Sequence, residues 1–306
     1  MSFLPFLYPV YYGYSAYVNA FFEAPLEQAN ESETSVRLQK GTPGYSETVK
    51  QQSRNNIKEE LQPFFEKIGV REDVIISESL SVGFCEAKGT NFFTKGDAAI
   101  IVGPGFNEAD KDACHWTVMH EASHIKYNDC FTMYFVPSVC TLAAAIFITL
   151  TKRPASRVAS VLATHTIGFV SHTAFSRYIE GKADDLAIAE SSNDELKGGR
   201  RFFLSAQALN QAFYEENQNT FWGKIIASSS GENRLDIKHP SLKSRIGKIE
   251  SALKQRNVFV DARDESVKVD RLTNFISNVQ SQIEKELDKN VNGPPTPIAT
   301  LQESLL

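Results

Sequence analysis

The run His120-Glu-Ala-Ser-His124 constrains this chain more than any other feature of its sequence. Residues four apart lie one turn apart on the same face of an α-helix, so both imidazoles can reach one metal ion. Glu121 then lies where its carboxylate can take a proton from a metal-bound water. Apolar residues that can bury such a helix flank the motif: Trp116, Val118, Met119, Ala122 and Ile125. The spacing therefore predicts a buried helix that carries a metal site.

A third ligand must come from elsewhere, because a catalytic zinc site has three protein ligands and one open position. Glu180 and Asp184 are candidates, since they stand at i and i+4 on one face of a predicted helix. The first would bind the metal, and the second would serve as an outer acceptor or an ion-pair partner. We therefore predict one Zn²⁺ per chain, held by His120, His124 and Glu180.

Three stretches without charge, residues 1–22, 130–151 and 158–176, indicate contact with a membrane. The second has the roughly 20 residues that a helix needs to cross a bilayer. The third contains two histidines and several hydroxyls, which suits a partner in a helical hairpin better than a lone span. The alternative is that these helices are buried in the protein's own core.

The composition is that of a globular protein, with 42% hydrophobic and 23% charged residues in a chain of 306. A formal charge of −5 argues against nucleic acid as a partner, because phosphate binding needs clustered Lys and Arg. Short β-branched runs at 74–77 and 98–102 predict strands. Apolar spacing predicts helices near 57–68, 177–190, 195–216 and 269–287.

Four motifs in order, over about residues 72–250, resemble the HtpX and CAAX prenyl protease family of gluzincin metallopeptidases, metallopeptidase family 48. In chain order they are Asn91-Phe-Phe-Thr-Lys-Gly96 before the run Ala98–Val102, H-E-x-x-H from His120 to His124, R-x-x-E-x-x-A-D from Arg177 to Asp184, and His239-Pro-Ser-Leu-Lys-Ser-Arg-Ile246. The chain departs from the family at Phe92, where a small residue is usual. The resemblance implies an α+β, mostly helical fold: a zincin (gluzincin) metalloprotease core with a small sheet and an inserted hydrophobic helical hairpin.

The resemblance also implies roles for single residues. Glu121 would be the general base, and His239 would donate a hydrogen bond to the developing oxyanion. Asp184, Arg177 and Arg245 would hold the ligands from outside. The run Ala98–Val102 would be an edge strand that pairs with extended substrate. The implied substrate-binding residues are Asn91, Phe92, Ala99 and Ile100.

On this reading the chain has an N-terminal hydrophobic segment and polar linker (1–56), a zinc metallopeptidase domain with its hairpin at 130–176 (57–288), and a disordered tail (289–306). The function expected is a zinc-dependent, membrane-associated endopeptidase that hydrolyses peptide bonds of proteins or peptides, including misfolded membrane proteins. The alternative from another class is a non-catalytic zinc-containing membrane interaction or scaffold protein. A third is a soluble secreted effector protease.

The side of the membrane depends on how the hairpin inserts. If both hydrophobic stretches span, the basic turn Lys152 to Arg157 prefers the cytoplasm and the active site lies opposite. A partly inserted hairpin leaves the site cytoplasmic. We favour the cytoplasmic face for the active site, because the stretch 158–176 is a weak candidate for a membrane span and the four cysteines show no paired spacing.

Overall fold

The structure is a computed structural model that describes residues 47–70, 74–78, 85–88, 98–103, 110–150 and 157–290. Within these ranges the chain is mostly helical. The elements are α1 Glu47–Ile68, β1 Val74–Glu78, β2 Cys85–Lys88, β3 Ala98–Val102, α2 Lys111–Tyr127, α3 Asp129–Leu150, α4 Arg157–Glu190, α5 Asn193–Asn217, α6 Phe221–Ile226, α7 Leu242–Gln255 and α8 Ala262–Asn290.

Several predictions concern residues outside these ranges. They include the first uncharged stretch, the basic turn after residue 150, and the tail beyond residue 290. Asn91 and Phe92 also lie outside the described residues. Helix α1 begins at Glu47, so the last ten residues of the predicted polar linker are helical. Helices α6 and α7 were not predicted.

The three strands form one sheet in the order β1-β3-β2. β1 runs parallel to β3, and β2 runs antiparallel to β3 with Cys85 opposite Val102. β3 is therefore the central strand, and its Ile100 is fully buried. The prediction of an edge strand at 98–102, with backbone groups of Ala99 and Ile100 free to bind substrate, is wrong because both sides of β3 are already paired.

Helix α2 lies at the centre of the core, between the sheet and α5. The indole of Trp116 meets the ring of Phe203 edge-on, with the ring centroids 5.0 Å apart. Two glycines of α5 allow this close approach: a Cβ at Gly198 would collide with the α2 backbone at Asp112, and one at Gly199 would collide with Trp116. Only glycine fits at these two positions. The metal-motif helix is consequently buried along most of its length.

A buried arginine fixes the start of α2. Asp110 caps the helix by accepting a hydrogen bond from Ala113 N. Arg201 on α5 is 2% exposed and donates to Asp110, Asp112 and Glu265, so it joins α2, α5 and α8. Burial raises the pKa of Asp110, but Arg201 outweighs burial and holds that pKa below its ordinary value.

Helix α3 and the first half of α4 pack on each other as a hairpin. Ala145 and Thr164 are buried in it. Among the described residues, α3 is the one helix long and apolar enough to cross a membrane. Residues 131–148 have a mean hydropathy of 1.9, and only 17% of them are buried, unlike a core helix. The exposed apolar side chains of the hairpin are Phe135, Val139, Leu142, Ile146, Phe147, Leu162, Ile167, Phe169 and Val170.

Candidate metal centre

The turn after α2 places a carboxylate beside the second histidine of the motif. Asn128 ends the helix in the left-handed conformation, with φ 52°, and α3 begins at the next residue. This sharp turn brings Asp129 Oδ2 to 2.9 Å from His124 Nδ1. Asparagine is one of the few residues that adopt positive φ readily. Asp129 thereby orients the His124 ring so that Nε2 faces the site.

Three side chains from two helices converge at this point. His120 and His124 come from α2, and Glu180 comes from α4. The two histidine Nε2 atoms are 3.2 Å apart; His120 Nε2 lies 3.2 Å from Glu180 Oε2, and His124 Nε2 lies 3.4 Å from Glu180 Oε1. Ligand atoms about 2.0–2.1 Å from a tetrahedral zinc would be about 3.3 Å apart. The spacing therefore fits zinc.

The protonation pattern of the site also fits a cation. Each imidazole has a carboxylate next to Nδ1, which places the proton on Nδ1 and leaves a lone pair on Nε2. Two lone pairs and a carboxylate then face one another, and buried Glu180 Oε2 has no hydrogen-bond partner among the residues that the structure describes. Unpaired buried acceptors are unfavourable, and a shared cation would satisfy all three. Two imidazoles and one carboxylate are a common ligand set for catalytic zinc.

Asp184 and Arg245 support the His120 side of the site. Asp184 Oδ1 lies 3.1 Å from His120 Nδ1. Arg245 of α7 binds both Asp184 oxygens, at 2.9 and 2.7 Å, and stacks over the Phe203 ring. Burial raises the pKa of Asp184, but Arg245 and His120 outweigh it and keep the carboxyl ionised.

The carboxylates around His120 favour positive charge at that position. Burial lowers the pKa of His120, but Asp184 and Glu180 outweigh burial and raise it to about 10. Burial raises the pKa of Glu180, but His124 and His120 outweigh burial and lower this pKa to well below its ordinary value. A proton or a metal ion would meet the same electrostatic demand.

Glu121 lies between this group and the sheet. Its Oε2 accepts a hydrogen bond of 2.8 Å from Ala87 N, and burial raises its pKa. Ala87 belongs to β2, so the edge strand beside the site is β2. Sequence reasoning missed β2, because Cys85–Lys88 carries two charges and no β-branched residue.

His239 lies at the outer side of the group, with Nε2 3.7 Å from Glu180 Oε2. Asp236 was also missed. Its Oδ1 accepts from the backbone N–H of His239 and lies 2.8 Å from His239 Nδ1, so it holds the ring in place. Arg177 does not touch a ligand. It is exposed and donates to the Ile237 carbonyl at 2.9 Å, which ties the segment before His239 to α4.

The sequence places the chain in a known family. The family model of peptidase family M48 matches residues 88–253, more than half of the chain, and this range contains α2, α4 and His239. The chain belongs to peptidase family M48, whose members are zinc metallopeptidases. This confirms the family resemblance. No curated protein and no solved structure matches the chain.

Proposed function

We propose that the protein is a zinc-dependent, membrane-associated endopeptidase built on a zincin-type core. The observation that carries the proposal is the convergence of His120, His124 and Glu180 within 4.8 Å of one another, in a chain of a peptidase family. Glu121, the residue next to one ligand, supplies the remaining group that peptide hydrolysis needs.

The residues of the site divide the chemistry between them. Zinc bound by His120, His124 and Glu180 would polarise the scissile carbonyl and acidify a water molecule. Glu121 takes the proton of the attacking water and passes it to the leaving amine. His239 would act as the imidazolium: Asp236 accepts from its Nδ1–H, and its Nε2–H donates a hydrogen bond to the carbonyl oxygen as that oxygen becomes negative.

Substrate would bind along β2 rather than β3. The N–H of Ala87 points to Glu121 and away from β3, so this edge of the sheet faces the reacting groups. An extended peptide laid along it gains backbone hydrogen bonds and needs no particular side chains. This suits unfolded segments of proteins, and we infer that misfolded membrane proteins are among the substrates.

Membrane association is supported by the exposed apolar surface of the α3–α4 hairpin. A helix this apolar with so little burial is stable next to lipid and unfavourable in water. We infer that the hairpin inserts into a bilayer. We also propose that the active site faces the cytoplasm, and this proposal rests on the sequence alone.

The test is cleavage of a reduced and alkylated, hence unfolded, protein by the full chain in detergent. We expect cleavage that a zinc chelator abolishes and added zinc restores. Glu121→Gln is the matched control, since it keeps the size of the side chain and removes the base. It should lower the rate by about 100-fold or more.

Two results would contradict the proposal. Cleavage that survives the chelator or Glu121→Gln would come from another site or another protein. A folded, zinc-loaded wild type as inactive as Glu121→Gln would favour the scaffold alternative.

A further inference from the structure

Two adjacent aromatic side chains protrude from the short helix α6. Phe221 is 72% exposed and Trp222 is 65% exposed, and their rings contact each other with centroids 5.5 Å apart. An exposed Trp–Phe pair is a large apolar surface whose burial is favourable. The proposed peptidase mechanism uses neither residue.

Helix α6 and the segment before His239 form one unit. Arg234 donates from its backbone to Ile226 and from its side chain to Lys224, and Ala227 bridges to Asn233. Arg177 fixes this unit to α4 through the Ile237 carbonyl. Arg177 directly follows the uncharged stretch 158–176, so the unit is attached where the apolar half of α4 ends.

The course of α5 brings α6 toward the same end of the molecule. Two residues separate the far end of α4 at Glu190 from the start of α5 at Asn193. The Arg245 side chain binds Asp184 of α4 and stacks on Phe203 of α5. Phe203 therefore marks the point along α5 that lies beside Asp184. From there α5 continues to Asn217, about 21 Å at 1.5 Å per residue. This distance carries α6 back toward the hairpin.

The neighbouring side chains are those of a membrane interface. Tyr178 and Leu235 are 63% and 50% exposed. Lys224 lies on α6 itself, and the charge of Lys238 acts on His172 in the apolar half of α4. Exposed Trp and Tyr beside lysines are typical of proteins at the level of lipid headgroups, where the lysines meet anionic lipids.

We propose that Phe221 and Trp222 insert into the lipid headgroup region and form a second membrane contact next to the α3–α4 hairpin. This inference rests on the membrane association in the proposed function. The unit that carries the two aromatics also carries Asp236 and leads into His239. The contact therefore holds the oxyanion donor at a fixed height above the bilayer and directs the site toward peptide that emerges from it.

The chain's two tryptophans make this directly measurable. Trp116 is 1% exposed in the core, whereas Trp222 is on the surface. The full chain is reconstituted in vesicles of phosphatidylcholine and phosphatidylglycerol, with and without bromine on the acyl chains. We expect brominated lipid to quench the part of the emission that Trp222→Phe removes, with stronger quenching from shallow bromines than from deep ones. The emission left in Trp222→Phe, which is that of Trp116, should be insensitive to bromine.

A second variant separates this inference from the membrane association beneath it. Trp222→Phe combined with Ile146→Trp moves the reporter to the exposed face of α3. Quenching at position 146 but not of native Trp222 would overturn the aromatic contact, leave the hairpin in the bilayer, and point to a protein partner for α6. Absence of quenching at both positions would overturn membrane association as well.

Discussion

The two halves of α4 show opposite relations between polarity and burial. In the half before Ser176, apolar side chains such as Phe169 and Val170 are about half exposed, and Thr164 is buried. In the half after it, Asp184 is 1% exposed and Glu180 is largely buried, although both are acidic. One continuous helix thus carries buried carboxylates at one end and exposed apolar groups at the other, although Arg177 and Asp185 at the acidic end are exposed.

This difference in burial follows from what surrounds each half of α4. Buried carboxylates are stable only where partners surround them, and α2 and α7 supply two histidines and Arg245. Exposed apolar groups are stable where water is excluded by lipid. Because Glu180 comes four residues after Ser176, about 6 Å along the helix axis, the metal centre lies close to the point where the apolar surface ends.

The largest effect should follow from breaking the buried charge pair at the metal end. Arg245→Met leaves Asp184 buried without its guanidinium partner and with only the His120 contact described above, which should lower the free energy of unfolding by about 3–5 kcal/mol. Lys248→Met, one turn along the same helix face, removes the exposed pair with Asp185 and should cost less than about 1 kcal/mol. Urea unfolding in detergent measures both. Equal effects of the two substitutions would show that the Asp184 pair is not special.

Removing the proposed oxyanion donor, His239, should lower the rate of cleavage and leave the zinc content unchanged. His239→Phe keeps a ring and loses the N–H, so kcat should fall by about 10²–10³-fold with zinc content unchanged. His115→Phe is the matched control, since His115 contacts Glu60 at 3.2 Å, away from the ligands. A loss of zinc in His239→Phe would instead make His239 part of the metal's support.

A charge on the exposed face of the hairpin should affect insertion and not chemistry. Leu142 is 45% exposed on α3. Leu142→Arg should oppose insertion by about 2.5–3.5 kcal/mol, measured as the fraction of protein that resists extraction from vesicles at alkaline pH. Gln255→Arg on the exposed surface of α7 should have no effect. Unchanged insertion of Leu142→Arg would mean that this face is covered by protein.

Lowering the pH should destabilise the core around Asp110 before it affects the α3–α4 hairpin. We expect this to be the smallest of the four effects. Arg201 lowers the pKa of Asp110, so the stabilisation is present above the ordinary carboxyl pKa of about 4 and is lost as pH falls through the lowered value. The stability difference between wild type and Arg201→Met should therefore narrow on going from neutral pH to about pH 3. Residues 130–176 contain no acidic group, so their helical signal should persist. A difference that widens in acid would contradict this assignment.

The three candidate metal ligands could be predicted because the information is local. Helical spacing fixes His120 and His124 relative to each other, and the acidic pair on α4 supplies Glu180. Two of the carboxylates that orient histidine rings could not be predicted in this way. Asp129 reaches His124 only through the left-handed turn at Asn128, and Asp236 acts through a loop conformation.

The sheet shows the same limit. The β-branched runs of β1 and β3 indicate strands, but the order in which strands pair is a property of the whole fold. β2 has the sequence Cys-Glu-Ala-Lys, and it forms because β3 offers it an open side. An edge strand was therefore expected at Ala98–Val102 and is found at Cys85–Lys88.

Zinc stoichiometry is the measurement that tests the central claim most directly. Elemental analysis of the full chain in detergent compares wild type, Glu180→Ala and Glu121→Gln. We predict about one zinc per chain in wild type and Glu121→Gln, and a marked loss in Glu180→Ala, because three ligands from α2 and α4 hold the ion. Metal-free wild type, or zinc that is indifferent to Glu180→Ala, would contradict the site.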